Sequence, residues 1–337
     1  MLGEGLAPTP ASHRTVGTYR HFAIEPLGDG VWAVIHRMDP ARPDAWAIAN
    51  AGIVDLGDRT LLFDTLTTTV AADELRVAAQ ALTGRLPGIV VYSHAHNDHT
   101  WGGSRFPEAL FMSSAAGRAE MLEYGMPEAD GFREVAEARL AFWNAAAGND
   151  DLLVRHDEPF FRPYWAGIAA TLPSLVLRYP DVGFHDRLEI HGSARHVELV
   201  AVDRAHGAGD LFMTVPDARV AFCGDLLFIG CHPYLGDGDV DGLRIALTRL
   251  EATGAERFVP GHGPVGAASD LRVMASYVAD VERVAQRTDG DAAIPEAYRA
   301  WAFAQFFPPN VEFCASGGHQ PAGPADQPAA APDQPAG

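Results

Sequence analysis

The chain has 337 residues, of which 47% are hydrophobic, and this is enough apolar material for one large α/β domain or two smaller ones. Its 25 basic against 44 acidic residues give a formal charge of −19, which argues against nucleic acid and anionic membranes as partners, because both are bound through Lys and Arg. Three cysteines without a CxxC pair indicate neither a disulfide framework nor a thiolate zinc site. No signal peptide or membrane span is apparent, so we expect a cytoplasmic protein.

The sequence pattern of the first half of the chain predicts several strands, followed by a helix and a further strand. Apolar runs separated by Gly-Asp turns predict strands over residues 22–27, 31–36, 47–56 and 60–64. A helical pattern follows, with Leu75, Ala78, Ala79 and Leu82 on one face, and then an apolar strand that ends at Tyr92. In such a β-α-β passage we expect ligands at the C-terminal edge of the strands.

Residues 94–99, shortly after this strand, concentrate side chains that bind metals: His94, His96, Asp98 and His99. Alternate residues of an extended strand end point the same way, so His94 and His96 can face one cation while Asp98 and His99 face its neighbour. Zinc accepts both imidazole nitrogen and carboxylate oxygen, and a catalytic zinc keeps a position open for water.

Residues 117–179 differ in character from the sheet-forming segments. The first part has a helical pattern, and the later part is rich in proline and aromatic residues, including Tyr164. We expect an insertion near the metal site. Its aromatic side chains are interpreted as a small core of the insertion itself, with pocket lining as the alternative.

The second half repeats the sheet and helix pattern. Predicted strands span residues 188–190, 197–202, 211–215, 220–223 and 258–259. One predicted helix follows residues 239–242, and a final long helix runs from Ser269 to about Gln286, with Ser269 or Asp270 as its cap. Residues 1–18 and 315–337 are predicted to be disordered, which leaves one domain over residues 19–314.

Three residues in this half lie in Gly-rich turns at the ends of apolar runs: His206, Asp225 and His262. His206 could complete the first metal site, His262 could complete the second, and Asp225 could bridge both cations with its two oxygens. An ordinary polar turn residue is an equal alternative for His206 or His262 taken alone. Seven ligands suit two divalent cations better than one.

This ordered set of motifs resembles the metallo-β-lactamase superfamily over most of residues 22–285. The resemblance implies an α/β fold, an αββα four-layer sandwich with a helical and aromatic insertion. It also implies two divalent cations, with zinc favoured and iron or manganese open. The first cation would be bound by His94, His96 and His206, the second by Asp98, His99 and His262, and Asp225 would bridge. Asp64 resembles a buried acid that supports the His turn, and an ordinary strand-end Asp is the alternative.

Departures from known subfamilies narrow the expected function. Asp225 stands where β-lactamases of the superfamily usually have Cys or no ligand, which favours hydrolases of esters, thioesters, lactones and phosphodiesters. Phe228 stands where homoserine-lactone lactonases place a Tyr, which argues against a strict lactonase of that type. The resemblance implies a small-molecule hydrolase in which a metal-bridging hydroxide attacks a carbonyl group, with Asp98 as the catalytic residue that orients it.

Other interpretations stay open at this stage. An iron-dependent oxygenase on the same fold, a β-lactam or amide hydrolase, and a metal-stabilised binding protein without turnover are the alternatives. Candidate residues of the substrate pocket are Trp101, Phe228, His232 and Tyr164, for which simple packing is the competing interpretation. We expect a small-molecule substrate as the partner, and a homodimer is left open.

Overall fold

A computed structural model of the protein describes residues 19–37, 48–287 and 293–319. The predicted disordered residues 1–18 lie outside the described residues, as do residues 320–337 of the predicted tail. Residues 315–319, which were also expected to be disordered, are ordered. His319 pairs with Asp239 through a β-bridge and an ion pair of 2.6 Å between Nδ1 and Oδ2.

Seven strands form the first sheet, and they lie side by side in chain order. They are β1 (Phe22–Gly28), β2 (Val31–His36), β3 (Ala51–Asp55), β4 (Thr60–Phe63), β5 (Pro87–Val91), β6 (Leu110–Ser114) and β7 (Val182–Phe184). The pairs from β1 to β4 are antiparallel, and those from β4 to β7 are parallel. The sequence predicted the first five strands but missed β6 and β7, which are short and flank the insertion.

The second sheet has five strands in the order β12-β11-β10-β9-β8. They are β8 (Arg187–His191), β9 (His196–Asp203), β10 (Gly209–Val215), β11 (Val220–Phe228) and β12 (Arg257–His262). Only the β11–β12 pair is parallel. All five were predicted, although β11 and β12 extend further than expected and carry Asp225 and His262 within their bounds.

Seven α-helices accompany the sheets in the described ranges. They are α1 (Thr69–Thr83), α2 (Asn97–Thr100), α3 (Ala115–Ala145), α4 (Leu152–Thr171), α5 (Val240–Glu251), α6 (Ala268–Ala285) and α7 (Phe307–Ala315). The cap prediction for α6 was wrong. Its N-cap is Ala267, whose N–H donates to the Asp270 carboxylate at 2.8 Å. Asp270, which lies inside the first turn, therefore provides a hydrogen-bond acceptor for an N–H group at the start of the helix.

Alternating burial along the strands produces four layers. In β4, Leu61 and Phe63 enter the core between the two sheets, whereas Leu62 packs with the apolar face of α1. In β11, Phe222 faces the other sheet, while Ala221 belongs to the core shared with α5 and α6. This period-two pattern buries both faces of each sheet and gives the αββα sandwich.

The insertion between β6 and β7 is helical throughout its two long elements, α3 and α4. The aromatic, proline-rich part is therefore a helix, which the prolines had obscured in the sequence. Asp151 caps α4 by accepting hydrogen bonds from the N–H groups of Leu153 and Val154. Phe161, Trp165 and Ile168 recur at helical spacing and are buried on one face of α4. In the described ranges, no helix is both long and apolar enough to cross a bilayer.

Candidate metal centre

The His-rich turn lies at the C-terminal end of β5 and continues into the short helix α2. Tyr92 anchors the turn, because its buried hydroxyl lies 3.3 Å from the carbonyl oxygen of Thr100 and 3.1 Å from that of Arg178. His94 and His96 precede α2, whereas Asp98 and His99 lie within its first turn. The chain therefore changes direction between the two pairs of side chains. His94 and His96 face His206, whereas Asp98 and His99 face His262.

Three other strand ends meet this turn. His206 lies between β9 and β10, Asp225 lies near the end of β11, and His262 is the last residue of β12. Gly224 allows β11 to approach the His-rich turn closely, since its φ is +52° and a Cβ there would lie 2.5 Å from the Cβ of Ser93. All seven residues predicted as metal ligands are thus brought to one edge of the sandwich.

Four of these side chains form the first group, and their ligand atoms lie within 4.8 Å of one another: His94, His96, His206 and Asp225. His206 Nε2 is 3.0 Å from His96 Nδ1 and 3.2 Å from Asp225 Oδ2. His94 Nε2 is 3.8 Å from Asp225 Oδ2. Three nitrogens and one oxygen at these separations match the donor set of a divalent cation such as zinc.

The second group contains Asp98, His99 and His262. His262 Nε2 lies 3.3 Å from Asp98 Oδ2 and 3.3 Å from Asp225 Oδ2. His99 Nε2 lies 3.1 Å from Asp225 Oδ1. Asp225 therefore contacts both groups with its two oxygens, which is the arrangement a bridging ligand requires.

Hydrogen bonds to the outer ring nitrogens fix which nitrogen of each imidazole carries a lone pair. His262 Nδ1 lies 2.8 Å from the carbonyl oxygen of Ile48, which can only accept, so Nδ1 must donate and Nε2 must present its lone pair. His99 Nδ1 lies 2.8 Å from Asp64 Oδ2 and is oriented in the same way. Nε2 of His94, Nε2 of His99 and Oδ1 of Asp225 are buried without a hydrogen-bond partner among the described residues. Buried polar atoms of this kind need a partner, and a divalent cation fits them.

Comparison with known proteins agrees with this geometry. Residues 45–262, more than half of the chain, match the family profile described as the metallo-beta-lactamase superfamily. The chain belongs to the metallo-β-lactamase superfamily. Members of this superfamily are generally metal-dependent hydrolases, and the His and Asp cluster of this chain could hold metal ions.

Solved structures show the same fold at low sequence identity. A metallo-beta-lactamase from Pontibacter korlensis is 16% identical, with a TM-score of 0.53 over 76% of this chain and 97% of that chain. One from Erythrobacter litoralis is 15% identical, with a TM-score of 0.53 over 77% and 96%. FIM-1 from Pseudomonas aeruginosa, in its mono-zinc form, is 15% identical, with a TM-score of 0.52 over 78% and 96%. None of the curated proteins compared with this chain matches it.

Asp64 connects the two groups of this candidate metal site from behind. Its Oδ1 accepts the N–H of Ser93 at 2.7 Å, and its Oδ2 accepts the Ser93 hydroxyl at 2.8 Å as well as His99 Nδ1. Ser93 Oγ therefore accepts from His94 Nδ1 at 2.9 Å. Burial raises the pKa of Asp64, while His99 and Ser93 oppose that shift. One carboxylate thus orients an imidazole of each group.

In the absence of cations, protons occupy the cluster unevenly. Burial lowers the pKa of His94 well below its usual range, and the neighbouring His99 and His96 lower it further. Burial also lowers the pKa of His96 and His262, but acidic neighbours outweigh it and raise these values to about 10 and about 9. Burial raises the pKa of Asp98, yet the charges of His99 and His262 bring it down to about 2. Protons and bound cations would therefore compete for the same nitrogens.

Two supporting residues were missed in the sequence. Asp210 Oδ2 accepts the backbone N–H groups of Ala205, His206 and Gly207 at 2.9–3.1 Å and so fixes the turn that carries His206. Its position four residues after His206 in a Gly-rich turn was the available signal. Asn50 donates to the carbonyl oxygens of residues 260 and 263, both at 2.9 Å, and holds the His262 turn. Nothing in the local sequence pointed to it.

A cavity of about 970 Å³ opens on the cluster, and it lies at the upper end of the volumes usual for ligand pockets. Two of the four candidate pocket residues, Phe228 and Tyr164, line it. The Phe228 ring stacks on His262 at 4.9 Å between centroids, and the Tyr164 hydroxyl donates to Asn97 at 3.2 Å. Carboxylates also line the cavity, among them Glu120 and Glu128, whose pKa burial raises to about 7 in each case.

The other two predicted pocket residues do not line the cavity. Trp101 is 1% exposed and packs edge-on against Phe132 in the core, with 5.5 Å between ring centroids. His232 is fully buried, and its two nitrogens lie 3.0 Å from the Tyr277 hydroxyl and 3.1 Å from the Tyr298 carbonyl oxygen. Both positions were close to the ligands in sequence, but the chain turns them into the core, so the packing interpretation applies to them.

Proposed function

We propose that this protein is a hydrolase that holds two divalent cations, most simply zinc, and cleaves a carboxylic ester, thioester or lactone of a small molecule. The observation that carries the proposal is the convergence of seven donor side chains into two adjoining groups, with the ligand atoms of each group within 4.8 Å of one another. The Asp225 carboxylate contacts both groups and is the natural bridge between two cations. Bound cations would supply the positive charge that polarises a carbonyl group and acidifies water.

Asp98 is the residue that we assign to orienting the attacking water. It is more exposed than the imidazoles of its group, with 17% of its side chain accessible, and it lines the cavity. Burial raises the pKa of Asp98, but the neighbouring His99 and His262 hold it at about 2, so the carboxylate is ionised at neutral pH. An ionised carboxylate can accept a proton of the attacking water through a hydrogen bond and fix the direction of its lone pair.

The available thiols do not offer a competing nucleophile. Burial raises the pKa of the Cys223 and Cys231 thiols, and it raises that of the partly buried Cys314 to about 11, so none of the three forms a thiolate readily. Phe228 occupies the cavity wall over His262 and has no hydroxyl group to bind a developing oxyanion. Hydrolysis by water, with the carbonyl group polarised by bound cations, is therefore the chemistry that these residues support best.

The experiment is a panel of chromogenic carboxyl esters, thioesters, lactones, phosphodiesters and a cephalosporin, assayed with and without a chelator. We expect turnover of at least one ester, thioester or lactone, loss of that turnover on chelation, and loss on Asp98→Ala. Asp241→Ala, an exposed aspartate in the first turn of α5, is the matched control and should retain activity. Activity on no member of the panel, or activity indifferent to the chelator, would refute the proposal.

Metal analysis separates this proposal from an oxygenase. Imidazole and carboxylate ligands bind iron as well as zinc, so the donor set alone does not choose between them. We expect colourless protein with about two zinc ions per chain, in line with the donor set of the two groups. Stoichiometric iron together with oxygen uptake in the presence of substrate would contradict the hydrolase assignment.

A further inference from the structure

The cavity has an aromatic wall that is built by the insertion and the C-terminal segment rather than by the sandwich. Among the rings that line it are Phe142, Trp143, Phe161 and Tyr164 from the insertion and Phe303 and Phe306 from the C-terminal segment. These rings support one another: Trp143 stacks on Phe161 at 5.4 Å between centroids, and Phe161 meets Phe306 edge-on at 5.6 Å. The insertion's aromatic residues therefore form a core and line the pocket at the same time.

Such a wall binds flat, apolar groups. Aromatic rings gain from offset or edge-to-face contact with other rings, beyond the area that they bury. A small acyl group such as acetyl would occupy a minor part of a cavity of about 970 Å³ and would leave most of the wall in contact with water. The wall contributes to binding only if the substrate carries a bulky ring system that reaches it.

The charges around the cavity disfavour anions. Apart from five of the candidate ligands, four carboxylates line it, Glu120, Glu128, Asp237 and Glu312, against the single guanidinium of Arg139. Glu120 Oε2 is buried and has no hydrogen-bond partner among the described residues. Glu128 Oε1 accepts from Asn97 Nδ2 at 3.2 Å, beside the His-rich turn.

Cations at the centre would attract an anion, but the part of a substrate that extends towards α3 meets these carboxylates instead. Like charges brought together in a partly enclosed site raise the free energy of the complex, which selects against the anionic partner. We propose that the substrate is a bulky aromatic ester, thioester or lactone with no negative charge on the group that fills the aromatic cavity. This inference rests on the proposed hydrolase function, whose site it extends.

The test uses 4-nitrophenyl esters of three acids: acetic acid, 2-naphthylacetic acid, and 2-naphthylacetic acid with a carboxylate on the far ring. We expect kcat/KM for the neutral naphthyl ester to exceed that for the acetyl ester by at least about tenfold, and that for the carboxylate ester by a similar factor. An acetyl ester that is cleaved equally well, or a carboxylate ester that is cleaved as well as its neutral partner, would overturn the inference.

Variants connect the preference to named side chains. The double variant Glu120→Gln, Glu128→Gln should reduce the ratio of kcat/KM for the neutral ester to that for the carboxylate ester by at least about threefold, because it removes the negative charge that these two groups carry when ionised. Glu134→Gln is the matched control, since Glu134 is an exposed glutamate on the same helix. Phe142→Ala, at a half-exposed ring whose removal should leave the core folded, should lower the preference for naphthyl over acetyl. Ratios that equal those of the unmodified protein would contradict these assignments.

A binding measurement decides the inference even if no ester is cleaved. The matching ketones, in which CH2 replaces the ester oxygen, are titrated into the metal-loaded protein by calorimetry. We expect the neutral naphthyl ketone to bind at least about tenfold more tightly than its carboxylate analogue. That result without turnover would refute the proposed hydrolysis but keep the description of the cavity. Equal affinities, or no binding of either ketone, would refute the description of the cavity.

Discussion

Replacing Asp64 with asparagine tests whether the hydrogen bonds behind the ligands set metal affinity. Asn keeps the size of the side chain but exchanges one acceptor oxygen for an NH2 donor. Three donors converge on the Asp64 carboxylate, one from Ser93 N–H on Oδ1, and the Ser93 hydroxyl and His99 Nδ1 on Oδ2. An amide therefore cannot satisfy them all in either orientation.

The two orientations of the amide have different consequences but a similar cost. With NH2 in place of Oδ1, two donors face each other at the 2.7 Å contact with Ser93 N–H. With NH2 in place of Oδ2, His99 must turn its Nδ1 lone pair to the amide and move its proton to Nε2, which faces Asp225 at 3.1 Å. At least one charge-assisted hydrogen bond is lost, about 1.5–3 kcal/mol, which corresponds to about 10–100-fold in metal affinity.

The assay is competition for Zn²⁺ between the protein and a chelator of known affinity. Asp64→Asn should weaken the binding of the cation held by His99 by about 10–100-fold. Asp55→Asn, at the end of the neighbouring strand β3, is the matched control, because Asp55 contacts Gly57 and Arg85 rather than the cluster. Melting of the metal-free variants reports any general loss of folding. An Asp64→Asn variant with unchanged affinity for both cations would refute the reasoning.

Two further predictions concern the backbone around the site and its protons. Gly261→Ala should reduce metal content and hydrolysis by at least about tenfold, because its Cβ would lie 1.8 Å from Asp225 Oδ1, whereas Gly88→Ala meets nothing within 4 Å and should be neutral. Retained metal content in the Gly261 variant would count against Asp225 as a ligand. The pKa values of His96 and His262 are raised to about 10 and about 9. At any pH below about 9, a cation must therefore displace a proton from each of these imidazoles in order to bind. Metal affinity should therefore rise as pH increases, about tenfold per unit for each displaced proton, and fall as pH decreases. Titrations at about pH 6, 7 and 8 check this, and a pH-independent affinity would contradict it.

The candidate metal ligands could be identified in the sequence because the chemistry is local. Three imidazoles and a carboxylate within six residues carry their own signal, and the Gly-rich turns at His206, Asp225 and His262 mark strand ends. Whether those turns lie close together depends on the order of the strands in the two sheets. Local sequence does not predict this order, and only the resemblance to the family motifs indicated it. The structure brings all seven side chains to one edge.

Residues that support or surround the site were harder to predict. Asn50 acts across more than 200 positions of sequence, so no local pattern identifies it. His232 lies seven residues after Asp225, but its side chain points into the core between Tyr277 and Tyr298. The helix α4 was obscured by Pro159 and Pro163, although its buried aromatic face has helical spacing. Tertiary contacts decide such positions, and local propensity does not.

Counting the cations that the metal-free protein takes up is the most direct test of the proposed dinuclear centre. Calorimetric titration with Zn²⁺ should show two equivalents for the unmodified chain and one tight equivalent for His206→Ala and for His262→Ala. His232→Ala, a buried histidine outside the cluster, should still take up two, even if its loss of packing lowers the melting temperature. No tight Zn²⁺ binding by the unmodified chain, or two equivalents retained in both ligand variants, would contradict the assignment of these residues.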